Sequence, residues 1–201
     1  MTIEWAESNP CQLIRRANLA SLGKRIPPND TWKPSLAWCK KMVLARDSTI
    51  EWASLIIDDD IRGDVSSHLV RHTAYHPRHI CESWRSDWTN KPRPTPDTLR
   101  IYLGKWNIKA LQAMMRERLC YKAMRETVNE VEEIKLYLLN SSDILMQAVG
   151  WSLVPDCIFE SGCNKGNRSC NWFNNGFDAD GWSSVEERYD IYNKWFIEHR
   201  K

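Results

Sequence analysis

With 201 residues, 42% hydrophobic and 27% charged, the chain has the size and balance of one globular domain able to bury a core. A formal charge of +2 excludes the clustered basic excess of a polyanion-binding surface and leaves room for a small anionic ligand. The opening MTIEWAESNP holds no apolar signal-like run and no stretch is apolar enough to span a bilayer, so the expectation is a cytoplasmic protein with its seven cysteines reduced.

The first 29 residues read as irregular, with a strand near residues 12–16, and Pro27-Pro28-Asn29-Asp30 forms a loop. Behind Pro34, the apolar positions Leu36, Ala37, Trp38, Met42, Val43 and Leu44 predict a helix over 35–46. The β-branched and aromatic residues Thr49, Ile50, Trp52, Ile56, Ile57 and Ile61 predict a strand over 49–61, its alternation interrupted by Asp58-Asp59-Asp60. Gly63 then breaks the chain, Asp64 offers an N-cap, and Val65, Leu69, Val70 and Thr73 recur at helical spacing, so that Arg71 and His72 end a strand–helix unit where binding residues often sit.

Pro92, Pro94 and Pro96 make residues 90–97 a surface connector placed to serve as a lid. From Trp106 to Leu139 good helix formers run without Gly or Pro, which predicts helix with one or more bends. Ser183-Ser184-Val185-Glu186 reads as a capping box, followed by an apolar stripe of Val185, Tyr189, Tyr192, Trp195 and Phe196. The expectation is a single domain over the whole chain.

Only eight glycines occur, in neither the Gly-x-Gly-x-x-Gly nor the Gly-x4-Gly-Lys-Ser/Thr arrangement, which removes support for a Rossmann nucleotide site or a P-loop. His68, His72 and His76 recur every four residues, a spacing that can grip one zinc on a helix, but Pro77 ends that helix and histidines at a ligand interface are the plainer reading. Cys157, Cys163 and Cys170 supply three thiols where a closed zinc site takes four ligands, so partly buried, reduced thiols are expected and no metal is assigned. Of the eleven tryptophans most are expected in the core; Trp52, Trp84 and Trp106 lie beside candidate ligand residues, and Trp84 is the best placed to stack on a base.

Four segments in order resemble the flavin-dependent thymidylate synthases. Ser48 and Glu51 match the family's Ser/Thr-x-x-Glu-His segment, and Arg71-His72 matches the Arg-His-Arg that ends its following helix. Asn107 and Lys109 stand where the family has Asn-x-Arg, and Arg118 takes the place of its nucleotide-contacting arginine. The run from Arg118 through Ala123 to Glu126 is similar to Arg-x4-Ala-Gln-x-Glu, and the cysteine-bearing residues 154–170 are similar to the tail of some bacterial members. The departures are specific. Thr73 replaces the last arginine of the Arg-His-Arg motif, Trp52 the histidine after the glutamate, and His68 a glutamine before that motif, while Ser83-Trp84-Arg85-Ser86 matches Ser-x-Arg-Tyr only with two residues inserted, the unshifted position being Cys81. Between Arg85 and Asn107 the chain is shorter than the family pattern.

The resemblance implies an α+β fold in which an antiparallel-rich sheet packs with long helices, and a homotetramer with FAD at subunit interfaces. It assigns Ser48, Glu51, Arg71, His72, Asn107 and Lys109 to the cofactor and His68, Ser83, Arg85 and Arg118 to a nucleotide substrate. Arg118 is the leading catalytic residue, because a guanidinium keeps its charge and can meet both a carbonyl oxygen and a phosphate. Lysine at 109 keeps the charge of the family's arginine and loses its planar fork. The implied reaction is reductive methylation of a pyrimidine deoxynucleotide at C5, dUMP by default, with methylenetetrahydrofolate as carbon donor and NADPH as reductant. Two alternatives stay open: the same cofactors with another acceptor base or a hydroxymethyl product, and a flavin- or nucleotide-binding protein without turnover. No membrane partner and no stable nucleic-acid binding are expected.

Overall fold

Three antiparallel strands organise the first part of the chain in the order β1 (Thr2–Trp5), β2 (Ser54–Arg62), β3 (Leu99–Asn107). The structure, a computed structural model, describes residues 1–45, 48–62, 99–163, 170 and 184–199. They belong to two compact units, Met1–Leu111 and Gln112–Lys201. The described residues combine helices with this small antiparallel sheet, an α+β composition. None of their helices is long and apolar enough to cross a membrane.

In the first unit, β2 is the central strand, pairing Ile3 with Ile57 on one side and Leu55 with Trp106 on the other. Ala53, Leu55 and Ile57 are buried while Ser54, Ile56 and Asp58 are not, the period-2 alternation of a strand with one covered face. The acidic run that interrupts the apolar alternation lies within the strand, as expected: Asp58, Asp59 and Asp60 are all paired, opposite Leu103, Tyr102 and Ile101. The predicted start of the strand is corrected. Ser48–Trp52 is a 3-10 turn, and the ladder begins only at Ser54, whose N–H donates to Glu7 Oε2 at 2.8 Å and whose carbonyl accepts the Ala6 N–H at 2.8 Å.

The strand expected near residues 12–16 is instead helix α1 (Pro10–Ser21). Asn9 Oδ1 accepts the Gln12 N–H at 3.2 Å and Pro10 brings a helical φ to the first position, so capping overrides the short apolar run that looked like a strand. Helix α2 (Leu36–Leu44) follows as predicted, with Ser35 Oγ accepting the Trp38 N–H at 3.2 Å and Cys39, Met42 and Val43 buried.

The helix expected from Trp106 begins two residues later. Trp106 and Asn107 end β3, and α3 (Ile108–Arg118) starts where Asn107 Oδ1 accepts the Ala110 N–H at 2.7 Å. The expected bend lies at residues 119–124, after which α4 (Arg125–Leu139) resumes. Among the described residues three helices follow: α5 (Ile144–Ser152), capped by Asp143 onto the Leu145 and Met146 N–H groups; the single turn α6 (Asp156–Phe159); and α7 (Val185–His199). The cap of α7 falls one residue later than its sequence box suggested, with Ser184 Oγ accepting the Glu187 N–H at 3.1 Å. Tyr189, Tyr192 and Phe196 form its buried stripe; Val185, at 44% exposed, is outside it.

The core of the second unit is polar at its centre. Lys135 on α4 is fully buried, and its ammonium donates to the carbonyls of Gly150 and Leu153 at 2.8 Å each and to Asn193 Oδ1 at 2.6 Å. Asn193 in turn donates through Nδ2 to the Trp151 and Tyr189 carbonyls at 2.8 and 2.7 Å. Gln112 Nε2 donates to Ser152 Oγ at 2.8 Å, which donates to the Val149 carbonyl. The network meets the carbonyls at the C-terminal end of α5, where a helix leaves acceptors unfilled and where positive charge is favoured.

Candidate functional site

The in-register pairing of β2 with β3 brings two sequence-distant groups of predicted site residues together in the first unit. Ser54 lies opposite Asn107, and the Ile108 N–H donates to the Ala53 carbonyl at 3.4 Å, so the 3-10 turn before β2 sits beside the start of α3. Ser48 opens that turn and Glu51 lies within it. Glu51 Oε1 and Lys109 Nζ are 3.1 Å apart, linking residues 58 positions apart in sequence. Both side chains stay nearly half exposed, at 44% and 48%, so solvent screens the pair and its contribution to stability is under about 1 kcal/mol. A solvent-facing ammonium and carboxylate in contact can exchange their mutual bond for one to a ligand.

Asn107 has a structural task that its sequence position did not reveal, capping α3 through its side-chain oxygen. The cap aims the first turn of α3, and with it Lys109, beside Glu51. Trp52 is 63% exposed next to this pair, whereas Trp106 is buried in the core and is thereby removed from any stacking role. Arg118, the last residue of α3, belongs to the second unit and is half buried. His68, Arg71, His72, Ser83 and Arg85, with Thr73, Cys81, Trp84 and the proline connector, lie outside the described residues.

The second unit gathers a group that its sequence did not assemble. Cys157 is half buried, and its thiol is pushed up to about 12 by burial first and then by the neighbouring Cys120, Cys163 and Cys170. No disulfide joins the six described cysteines. Three of these four cysteines were visible as a local cluster, but Cys120 lies 37 residues before Cys157, with two helices between, and no local spacing connects them. Nearby, the Arg116 guanidinium lies 3.2 Å from the centre of the Phe159 ring, and burial is the main cause lowering its pKa from the ordinary range. Lys135 did carry a sequence signal. It falls on the buried stripe of Val128, Val131 and Leu138, at a position where an aliphatic residue is normal.

No protein-family model, curated protein or solved structure matches this chain.

Proposed function

We propose that this chain is a divergent, shortened enzyme of the flavin-dependent thymidylate synthase type, transferring a one-carbon unit from methylenetetrahydrofolate to C5 of a pyrimidine deoxynucleotide, dUMP by default. The observation that carries the reading is the meeting of Glu51 and Lys109, two residues that the motif resemblance assigns to one cofactor and that lie 3.1 Å apart in the fold. The donor set fits the polar part of a dinucleotide: Lys109 offers an exposed ammonium to a phosphate, Glu51 a carboxylate to a ribose hydroxyl or ring N–H, and the Asn107 cap holds the helix start that presents Lys109. FAD, reduced by NADPH, supplies the hydride when bound. The protein's share is positioning and electrostatics: it orients flat, anionic partners, and a guanidinium such as Arg118 offsets negative charge developing on the pyrimidine. The specific fold of that family and a homotetramer with FAD at its subunit interfaces belong to the same proposal.

The test is visible absorbance of the purified chain after FAD addition and desalting, with its mass measured in solution. Flavin retained on a tetramer supports the proposal; a colourless protein after desalting removes it. A labelled-folate assay over a panel of nucleotides then identifies the acceptor. A second reading, another acceptor base or a hydroxymethyl product, is favoured by His68 and Thr73 standing where the family has glutamine and arginine. Label on a nucleotide other than dUMP decides for it.

Two substitutions probe individual residues. Lys109→Met is expected to weaken FAD binding about tenfold, the loss of one charge-assisted hydrogen bond, while shifting the unfolding free energy by less than about 1 kcal/mol. Flavin titration and urea unfolding measure the two effects, and an unchanged FAD affinity takes Lys109 out of the site. Arg118→Ala is expected to weaken dUMP binding roughly 10- to 100-fold with flavin binding retained, from the same bond class. Calorimetric titration with dUMP checks it, and equal loss of both ligands points to a structural role instead.

A further inference from the structure

The whole-chain charge of +2 argued against a basic surface, but that sum conceals a segregation. Residues 10–44 carry seven lysines and arginines against one acid, Asp30, so the rest of the chain is net negative. The one acid is already engaged: its carboxylate pairs with Arg15 and accepts the Trp32 N–H at 3.0 Å.

The fold gathers this segment around one contact in the first unit. The Arg15 guanidinium, on α1, lies 4.4 Å from the centre of the Trp32 ring, and that ring meets Trp38, on α2, edge to face at 4.8 Å and 74°. Five exposed cations, Arg16, Lys24, Arg25, Lys33 and Lys41, are tied to it by short stretches of backbone. Arg16 adjoins Arg15 and Lys33 adjoins Trp32, while Lys41 follows Trp38 by about 4.5 Å of helix. Lys24 and Arg25 are brought back by the end of α1, where Gly23 takes φ 68°, its N–H donates to the Ala20 carbonyl at 3.0 Å and the Lys24 N–H donates to the Leu19 carbonyl at 2.7 Å. This helix ending uses the left-handed conformation that glycine adopts readily, and it fixes Lys24 beside Leu19, one turn along α1 from Arg15.

Exposed cations whose only local acid is already paired fit a polyanion. Ile14, Cys39, Met42 and Val43, the apolar side of the two helices, are buried, and Leu22 and Leu36 are the segment's exposed large apolar residues, which leaves no apolar face to enter a bilayer. Trp32 and Trp38 are half-buried, and Trp52, on the 3-10 turn against which α1 packs, is 63% exposed. Indole faces beside cations suit unpaired bases, which a duplex keeps stacked on one another. We propose that this α1–α2 surface binds single-stranded nucleic acid, its cations on the phosphates and its tryptophans against the bases. Such binding needs no flavin and does not depend on the proposed one-carbon chemistry.

The test is fluorescence anisotropy of a labelled oligouridine of about 16 nucleotides, titrated with the full chain over a range of salt. Affinity is expected to fall roughly 100-fold between 50 and 200 mM salt, from a slope of about −0.7 per phosphate and five contacts on a single strand. Lys24→Gln combined with Arg25→Gln removes two of those contacts, so the slope should shrink by about 1.4 and the affinity at 0.1 M salt should drop roughly 25-fold. Lys194→Gln, exposed on α7 in the other unit, should leave both unchanged. Urea midpoints equal to that of the parent chain separate lost contacts from lost fold. An abasic strand of the same length should bind at least about fivefold more weakly, the worth of one stacked base. Absence of salt-dependent binding, or an affinity that the double substitution leaves unchanged, overturns the surface. An abasic strand or a duplex bound as tightly as oligouridine overturns its assignment to single-stranded nucleic acid, as does binding confined to phosphatidylserine vesicles.

Discussion

Lys135→Met is expected to lower the free energy of unfolding by about 3 kcal/mol, measured by urea denaturation at neutral pH, the size of leaving more than one buried acceptor without its donor. Two effects oppose each other. Methionine matches the lysine stem in volume and removes the cost of burying a charge, which favours the variant. Against this, the Gly150 and Leu153 carbonyls and Asn193 Oδ1 all lose a donor at 2.6–2.8 Å, in a place that water does not reach. Gly150 keeps one bond, from the Leu153 N–H at 3.3 Å, which limits the loss there. The orphaned acceptors decide the sign. A change below about 0.5 kcal/mol, the range of ordinary surface substitutions, would show that the ammonium's desolvation already cancels its three bonds.

The same residue predicts a pH dependence. Burial holds the Lys135 pKa well below its ordinary 10.5. Between the folded and unfolded values the unfolded chain binds more protons, so the contribution of this group to stability rises with pH across that interval and levels off near 10.5. Tyr192 acts in the opposite direction: burial first, then nearby charge, raises it well above 10.0, so its contribution falls once the unfolded tyrosine ionises. Cys157, raised from 9.0 to about 12, acts likewise above 9. Because the Met variant keeps the tyrosine and the cysteine, subtracting its unfolding free energy from that of the parent isolates the lysine. The difference should grow as pH climbs toward 10.5, and a flat difference would place the lysine's folded value at its ordinary one.

What the sequence disclosed follows the range of each interaction. Helices α2 and α7 were legible because a cap and an apolar stripe lie within a few residues of each other. Helix α1 was misread from its short apolar run, although Asn9-Pro10 carried the local signal that decides it. The central strand was harder: Asp58-Asp59-Asp60 has poor strand propensity, yet pairing with β3 throughout, and with β1 at Asp58, holds it extended, an effect of neighbours far away in sequence. The candidate site divides the same way. Glu51 and Lys109 were singled out by motif resemblance, but their contact depends on the register of β2 against β3. Cys120 was absent from the cysteine cluster because the link to Cys157 runs across α4 and α5, and Lys135, although on an apolar stripe, takes acceptors 15, 18 and 58 residues away that no local pattern connects to it.

Gly150→Ala should cost about 2 kcal/mol, read from the same urea curves, because α4 and α5 pack too closely there for a side chain. An added Cβ would stand 2.7 Å from the Leu139 backbone nitrogen, 2.9 Å from Leu138 Cβ and 3.0 Å from the Leu138 carbonyl carbon. Two of these are backbone atoms of α4 and cannot swing aside, so the helices must separate. Overpacking of this kind costs roughly 1–3 kcal/mol, against which alanine regains up to about 1 kcal/mol of helix propensity. A stabilised variant would mean that the helices separate freely. Separation also carries the Gly150 and Leu153 carbonyls away from Lys135, so the two substitutions damage one contact. The double variant should therefore lose less than the sum of the singles, by between about 0.5 and 3 kcal/mol, as residues sharing partners do. Additive losses would instead mean that α5 shifts without breaking the lysine's bonds, and that helix packing and the buried network stabilise this unit independently.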